Sequence, residues 1–438
     1  MKTQITTFFK SAIILSTMLC PMLIQAQDTT KTKIANLRPY DKSGINVFEA
    51  PKDTDATFNG LAVRFGAGFT QSFQNLEHSN TSTLPANKLY AISPGFNTAN
   101  ANLFMDVQLA DGIRLNLTSY LSSRHHNETW VKGGYIQFDK LPFKGAFWED
   151  LMKITTIKVG HMEINYGDAH LRRSDGGHTL YNPFVENNIM DEFTTEIGGE
   201  IYIRKNGFTG MIGASNGMIK GNIDSLVATA QDANTHKSPS IYLKGAYDKQ
   251  INDLVRFRLA ASYYTNKSSG SNTLFGGDRT GSNYFMAMEK AGGTYAANAF
   301  SGRFNPGFTK KISTIQLNAF IKVSGFELFG TYEAAEGRSK TETNERKASQ
   351  FAIDGVYRFG KEENLFLGAK YNTVTSALAG VTNDVTIDRV TFAGGWFVTR
   401  NVLLKAEIVN QKYKDFANAD YRSGGKFNGY VIQAVVGF

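Results

Sequence analysis

The chain has 438 residues, with 47 Lys and Arg against 39 Asp and Glu, a formal charge of +8. Its length suggests two or three domains, but hydrophobic residues are 42%, Phe, Trp and Tyr 12%, and there are 42 Gly against 9 Pro, which favours strands and turns over helices. After residue 26 no run of about 18 apolar residues occurs, which excludes a helical membrane protein, and the aperiodic Gly and high apolar content exclude collagen-like, coiled-coil and wholly disordered chains.

Residues 1–26 read as a secretory signal peptide. Lys2 and Lys10 precede an apolar stretch from Ser11 to Leu23, and small Ala26 stands at the expected cut. A lipoprotein signal on Cys20 is the alternative, but Leu19 occupies a position where a small residue is expected. Cleavage after Ala26 removes the single Cys, so no disulfide, thiolate metal site or Cys nucleophile is expected. With Lys2 and Lys10 gone, and no acid in that segment, the charge falls from +8 to +6. Residues 27–59 read as a periplasmic N-terminal segment, at about 33 residues too short for the plug of a 22-stranded transporter.

From residue 60 onward the pattern is period-two alternation. Leu61, Val63, Phe65, Phe69 and Phe73 alternate with small and polar residues, and Leu103, Met105, Val107 and Leu109 do the same before a turn at Asp111-Gly112. The same rule predicts strands near 61–73, 97–109, 113–123, 130–138, 155–166, 194–204, 208–216 and 239–247. The second half follows near 254–264, 312–322, 326–333, 348–359, 365–374, 385–398, 402–413 and 427–438, with bounds good to about three residues. Short connections such as Lys205-Asn206-Gly207 and Val323-Ser324-Gly325 alternate with long polar ones, 74–96, 167–193, 217–238 and 265–311. Short turns on one side and long loops on the other define a transmembrane antiparallel β-barrel of about 16 strands spanning 60–438, in the outer membrane of a Gram-negative bacterium. One connection breaks the rule: Asp139 to Ile154 is long for a periplasmic turn, contains Phe147-Trp148 and Leu151, and is expected to hold a short helix. A β-propeller would not sustain alternation over 10 to 12 residues.

In such a barrel apolar residues face lipid and polar ones line the lumen. The phase puts Arg64, Arg114, Lys158, Arg204, Arg256, Arg258, Lys322, Arg358 and Lys405 inside, with Lys244 and Lys370, against Asp106, Glu196, Glu200, Glu327, Asp354 and Glu407. Cations in excess predict a mild anion preference; the alternative is that these charges pair across strands and merely line the wall. The loop Gly167–Asp191, with Gly hinges and Phe and Pro anchors, is expected to fold inward and narrow the barrel, bringing Asp168, His170, Arg172, Arg173, Asp175 and Glu186 to the constriction. An ordinary exposed loop is the alternative. His170 and His178 with Asp168 and Asp175 lack the tight spacing of a metal site. Ser174 beside these histidines is a coincidence of composition rather than a triad, and neither a nucleotide-binding fingerprint nor a basic cluster interleaved with stacking aromatics occurs. The expectation is therefore no enzyme, no cofactor and no nucleic-acid partner. The functional expectation is passive diffusion of small polar or anionic solutes. The alternative is a structural or surface-binding barrel whose long loops, 265–311 above all, contact a partner.

Three segments carry a family resemblance: Gly60-Leu61-Ala62-Val63-Arg64-Phe65, Ile157 through Gly167, and Asn401-Val402-Leu403-Leu404-Lys405-Ala406-Glu407. With them the chain resembles the phosphate-selective porin O and P family, in its Bacteroidetes-type form. The resemblance implies a sixteen-stranded barrel, usually a homotrimer, with an inward third loop and diffusion of small anions. The terminal Phe438, with Val436 and Ala434 at alternating steps, is similar to the signal read by the barrel-insertion machinery. Outer-membrane lipid, facing the apolar side of the strands, is the remaining expected partner.

Overall fold

The computed structural model describes residues 34–52, 57–121, 129–174, 179–219, 225–276, 283–298 and 300–438. The signal-peptide expectation for 1–26, and Asp175 and His178, lie outside them.

Sixteen strands alternate up and down: β1 (Ala62–Ser79), β2 (Asn100–Ala110), β3 (Ile113–Leu121), β4 (Thr129–Phe138), β5 (Thr155–Glu163), β6 (Thr195–Lys205), β7 (Phe208–Ser215) and β8 (Ser240–Gln250), then β9 (Val255–Asn266), β10 (Lys311–Val323), β11 (Phe326–Arg338), β12 (Arg346–Phe359), β13 (Leu365–Ser376), β14 (Val385–Thr399), β15 (Val402–Lys414) and β16 (Lys426–Gly437). Each pairs antiparallel with the next. β16 returns to β1, with Phe73 opposite Ile432. Closure leaves no unpaired backbone edge, the condition for crossing lipid as strands. The expected sixteen strands are all present. β1 and β11 run five or six residues further than the alternation predicts, because their upper ends keep a partner: His78 pairs with Phe427 and Gly337 with Arg346.

Local chemistry explains the elements. On β10, Ile315, Leu317, Ala319 and Ile321 point out while Thr314, Gln316 and Asn318 are buried, the side-chain period of a strand with two unlike faces. The tight turn between β6 and β7 uses Asn206 (φ 53°) and Gly207 (φ 85°), with Lys205 opposite Phe208; two left-handed residues match the twist of the flanking strands. The long connection after β4 forms α1 (Ala146–Ile154), as expected.

The interior departs from a water-filled tube. Three segments enter it. Residues 34–52 occupy the short-turn end, where the Lys42 backbone N–H donates to the Arg400 carbonyl (2.9 Å) and Tyr40 stacks on Phe104 with centroids 4.2 Å apart. Residues 164–174 and 179–194 cross the middle and are buried almost throughout. The long β9–β10 connection folds in from the opposite end, where Tyr284, Phe285, Ala287 and Met288 are buried. Over that end the simple alternation fails, because Ile312, Val374, Val385, Ile387, Val409 and Val431 point inward and pack with Ile189, Leu274, Tyr284 and Phe304 from the inserted segments. Apolar residues facing inward there form a dry core that needs no lipid.

Candidate functional site

The inserted segment begins at Gly167. Its φ is +73°, and a Cβ there would stand 2.0 Å from Gln316 Oε1, so this turn, pressed against the β10 wall, accepts glycine alone. The next residue, Asp168, joins the loop to the barrel wall. Its carboxylate accepts from Arg258 Nε (2.7 Å) and Nη2 (2.8 Å) on β9, and Lys244 Nζ on β8 lies 2.8 Å away. Glu49, from the N-terminal segment, completes the cluster at 3.0 Å from Lys244 and 2.9 Å from Arg258. Burial alone would raise Glu49 and Asp168, but Lys244 and Arg258 outweigh it and hold both carboxyls below their ordinary range. Two cations and two anions thus tie the N-terminal segment, the loop and the wall together, with Arg258 only 2% exposed.

Further along, Arg172 Nη1 donates to both oxygens of Asp354 (3.2 Å each) and its guanidinium lies 4.4 Å from the Phe329 ring centre. Arg173 makes a two-pronged contact with Asp191, 2.9 and 2.8 Å, within the same segment. Burial would raise Asp191, but Arg173 and Arg303 hold it below the usual carboxylate range. Glu186 accepts from the Asn283 backbone N–H at 2.5 Å, joining the middle segment to the one above. Burial pushes its carboxyl up to about 7 and that of neighbouring Glu192 up to about 8. His170 sits between Glu163 Oε1 (2.5 Å from Nδ1) and Asn165 Oδ1 (3.0 Å from Nε2). Asn165 Oδ1 also accepts from Lys244 at 2.7 Å and Asn165 Nδ2 donates to Glu49, so His170 is tied into the same polar network as the Asp168 cluster.

All eleven cations assigned to the lumen by their phase sit on the inward face of their strands. Most have partners. Arg256 forks onto Asp248 (2.9 and 2.7 Å) and Arg358 onto Glu327 (2.8 and 3.3 Å), while Lys322 meets Glu363 at 2.8 Å. Arg114 donates to Ala35 O (2.9 Å) and Arg204 to Ala50 O (2.5 Å), both in the N-terminal segment. Lys405 donates to the carbonyls of Thr179, Asn182 and Phe184 at 2.7 to 3.2 Å, holding the middle segment's second half. Arg64 lies over the Tyr40 ring (4.8 Å) and Lys158 between Tyr135 (4.9 Å) and Tyr202 (5.1 Å). Among the described residues these two cations have no carboxylate partner.

Four contributors escaped the alternation argument. Arg389, buried on β14, donates to Gln411 Oε1 and to the carbonyls of Asn187 and Gly302, clasping two inserted segments. Its strand neighbours Val385 and Ile387 also face inward, which obscures the phase. Arg38, Tyr40 and Glu49 belong to the segment before the first strand, where no periodicity marks a residue as buried.

Among the described residues, a cavity of about 220 Å³ lies between the middle segment, the N-terminal segment and the wall of β2–β6. Asn102, Asn116 and Thr118 line the wall, Lys158 stands on it, and His170 and Arg173 close the loop side. The arrangement can hold small hydrated solutes: amide and hydroxyl groups supply donors and acceptors, and the Lys158 side chain, flanked by rings, offers donors to a passing anion.

No protein-family model and no curated protein matches the sequence. Solved structures match in fold. The chain is similar to the "Anion-selective porin from Comamonas acidovorans", at 11% identity and TM-score 0.53 over 86% of this chain and 100% of that one. It is similar also to the outer membrane channel DcaP of Acinetobacter baumannii, at 11% identity and TM-score 0.52 over 87% and 99%. OmpT of Vibrio cholerae in its trimer form gives 10% identity and TM-score 0.50 over 87% and 100%. The closed barrel is the fold of outer-membrane proteins of Gram-negative bacteria.

Proposed function

We propose that the chain is an outer-membrane porin for passive diffusion of small polar solutes, with a mild preference for anions. The observation that carries the proposal is the cavity along β2–β6, lined by Asn102, Asn116 and Thr118 among others, on which Lys158 stands with no carboxylate partner among the described residues. In this reading Asp168, His170, Arg172, Arg173, Asp175 and Glu186 belong to the segment that narrows the passage, the first four as braces of its shape. Arg64 and Lys158 set the sign of the selectivity, while Arg114, Arg204, Arg258 and Lys405 hold the inserted segments and Arg358 and Lys322 pair with carboxylates of the wall and its turns. A preference for phosphate is the finer form of this proposal and rests on the resemblance of three strand segments alone. We take residues 1–26 as the export signal and Phe438 as the insertion signal. A homotrimer fits a shallow groove on the lipid face, where Gly245 lies beside Ala261 and Ala319 beside Gly330, since small residues let a neighbour approach closely; cross-linking in native membranes tests it. The purified protein should give conductance steps in a planar bilayer and, in a salt gradient, a reversal potential of the anion-selective sign. A protein that inserts but never conducts defeats the reading.

The second reading, a surface-binding barrel with a blocked lumen, is favoured by the fill itself, since Arg258 and Arg389 are among the most buried side chains. It requires wild-type protein to stay silent in the bilayer and the long loops to gain protection on adding a ligand.

A further inference from the structure

The β4–β5 connection is the one periplasmic turn that the barrel does not need to be long, and its surface is unlike that of a turn. α1 carries Phe147, Trp148, Leu151, Met152 and Ile154 on one arc, and Glu149, Asp150 and Lys153 on the opposite arc. With residues three and four apart sharing a face, this is a clean division into an apolar and a polar side. Only part of the apolar side finds protein. Met152 is buried and the helix lies against β5 and β6. Phe147 is 70% exposed and Phe143 56%, and both rings pack on Trp148 with centroids 5.1 and 5.2 Å apart. Three aromatic rings are thus gathered into a cluster that is exposed among the described residues, with Trp148 36% exposed.

We infer that α1 is an interfacial anchor: its aromatic cluster enters the headgroup and acyl boundary of the periplasmic leaflet, and the occupant of this face is phospholipid. The cluster continues an interface the barrel already has. β5 and β6, against which α1 lies, present Val159, Ile201 and Ile203 outward to lipid, and α1 extends that belt at its short-turn edge. Aromatic side chains are suited to the boundary, where one side is apolar and the other wet. Charge plays little part, because Asp139, Glu149 and Asp150 are matched by Lys140, Lys144 and Lys153 in the same connection, so attachment should depend on apolar contact and hardly on anionic lipid.

Trp148 makes the inference measurable. Two single-tryptophan proteins are reconstituted into phosphatidylcholine vesicles: Trp130→Phe with Trp396→Phe, which keeps Trp148, and Trp130→Phe with Trp148→Phe, which keeps the lipid-facing Trp396 as a control for insertion. Lipid brominated near the headgroup should quench Trp148 by about half, and lipid brominated near the chain ends less, as expected for a side chain some 5 to 10 Å into the boundary. Adding phosphatidylglycerol should leave the quenching unchanged. If Trp396 is quenched while Trp148 is not, the inference falls, whether aqueous acrylamide reaches Trp148 (a helix standing in water) or fails to reach it (a protein partner). Quenching that appears only with phosphatidylglycerol overturns it as well, in favour of electrostatic attachment.

Discussion

Glu49→Ala tests whether the N-terminal segment closes the passage. Glu49 is the segment's one buried carboxylate among the described residues, held by Lys244 at 3.0 Å and Arg258 at 2.9 Å. Breaking a buried ion pair costs about 3 to 5 kcal/mol. Here Lys244 and Arg258 keep Asp168 at 2.8 and 2.7 Å, so neither cation is orphaned and the cost should sit at the low end, about 3 kcal/mol. At 1.4 kcal/mol per tenfold, that raises the ratio of released to docked segment on the order of a hundredfold. Single-channel recording reads this directly as open probability. The control is Asp41→Asn, which removes a pair with the two-thirds exposed Arg400; a pair of that kind is worth about 1 kcal/mol at most, near fivefold. If Glu49→Ala records with the wild-type open probability while protease cuts its N-terminal segment freely, the segment has been released and the passage was never closed by it.

Lys158→Glu should move the reversal potential toward cation selectivity, since a unit charge 5 Å from an ion is worth about 0.8 kcal/mol in water, about fourfold in permeability, and the substitution changes the site by two charges. A potential equal to wild type would remove Lys158 from the pathway. The pH dependence follows from Glu186 and Glu192, whose carboxyls are raised by burial to about 7 and about 8. A raised carboxyl favours the packed state only while protonated, so the loop's stability is full below the ordinary carboxyl range and is lost as pH rises through those values, by on the order of a few kcal/mol. Conductance should accordingly be larger at pH 9 than at pH 6, and Glu186→Gln with Glu192→Gln should flatten the profile; a profile unchanged by the pair contradicts the assignment. Leu259→Arg puts a cation on the lipid face of β9 and should destabilise the barrel by about 2 to 4 kcal/mol near mid-membrane, measured as a lower urea midpoint for unfolding from vesicles.

The strands, their number and their direction were legible in the sequence because the bilayer imposes a local rule. Each crossing needs about ten residues with one apolar face, and Ile315, Leu317, Ala319 and Ile321 announce theirs without reference to any other part of the chain. Turns are equally local, as Asn206-Gly207 shows, and so is the division of α1 into two faces. The contents of the barrel obey no such rule. Arg258 reads as a lumen cation, yet whether it meets water or a carboxylate depends on Asp168, 90 residues away, and Glu49, 209 residues away. Val385 and Ile387 look like lipid-facing residues until inserted loops supply apolar surface on the inside. Arg389 is hidden by those same neighbours. The sequence by itself determined a closed sheet of strands long enough to cross a bilayer; only the tertiary structure decided how the described inserted segments pack within it, because that depends on contacts between segments far apart in the chain, which no period records.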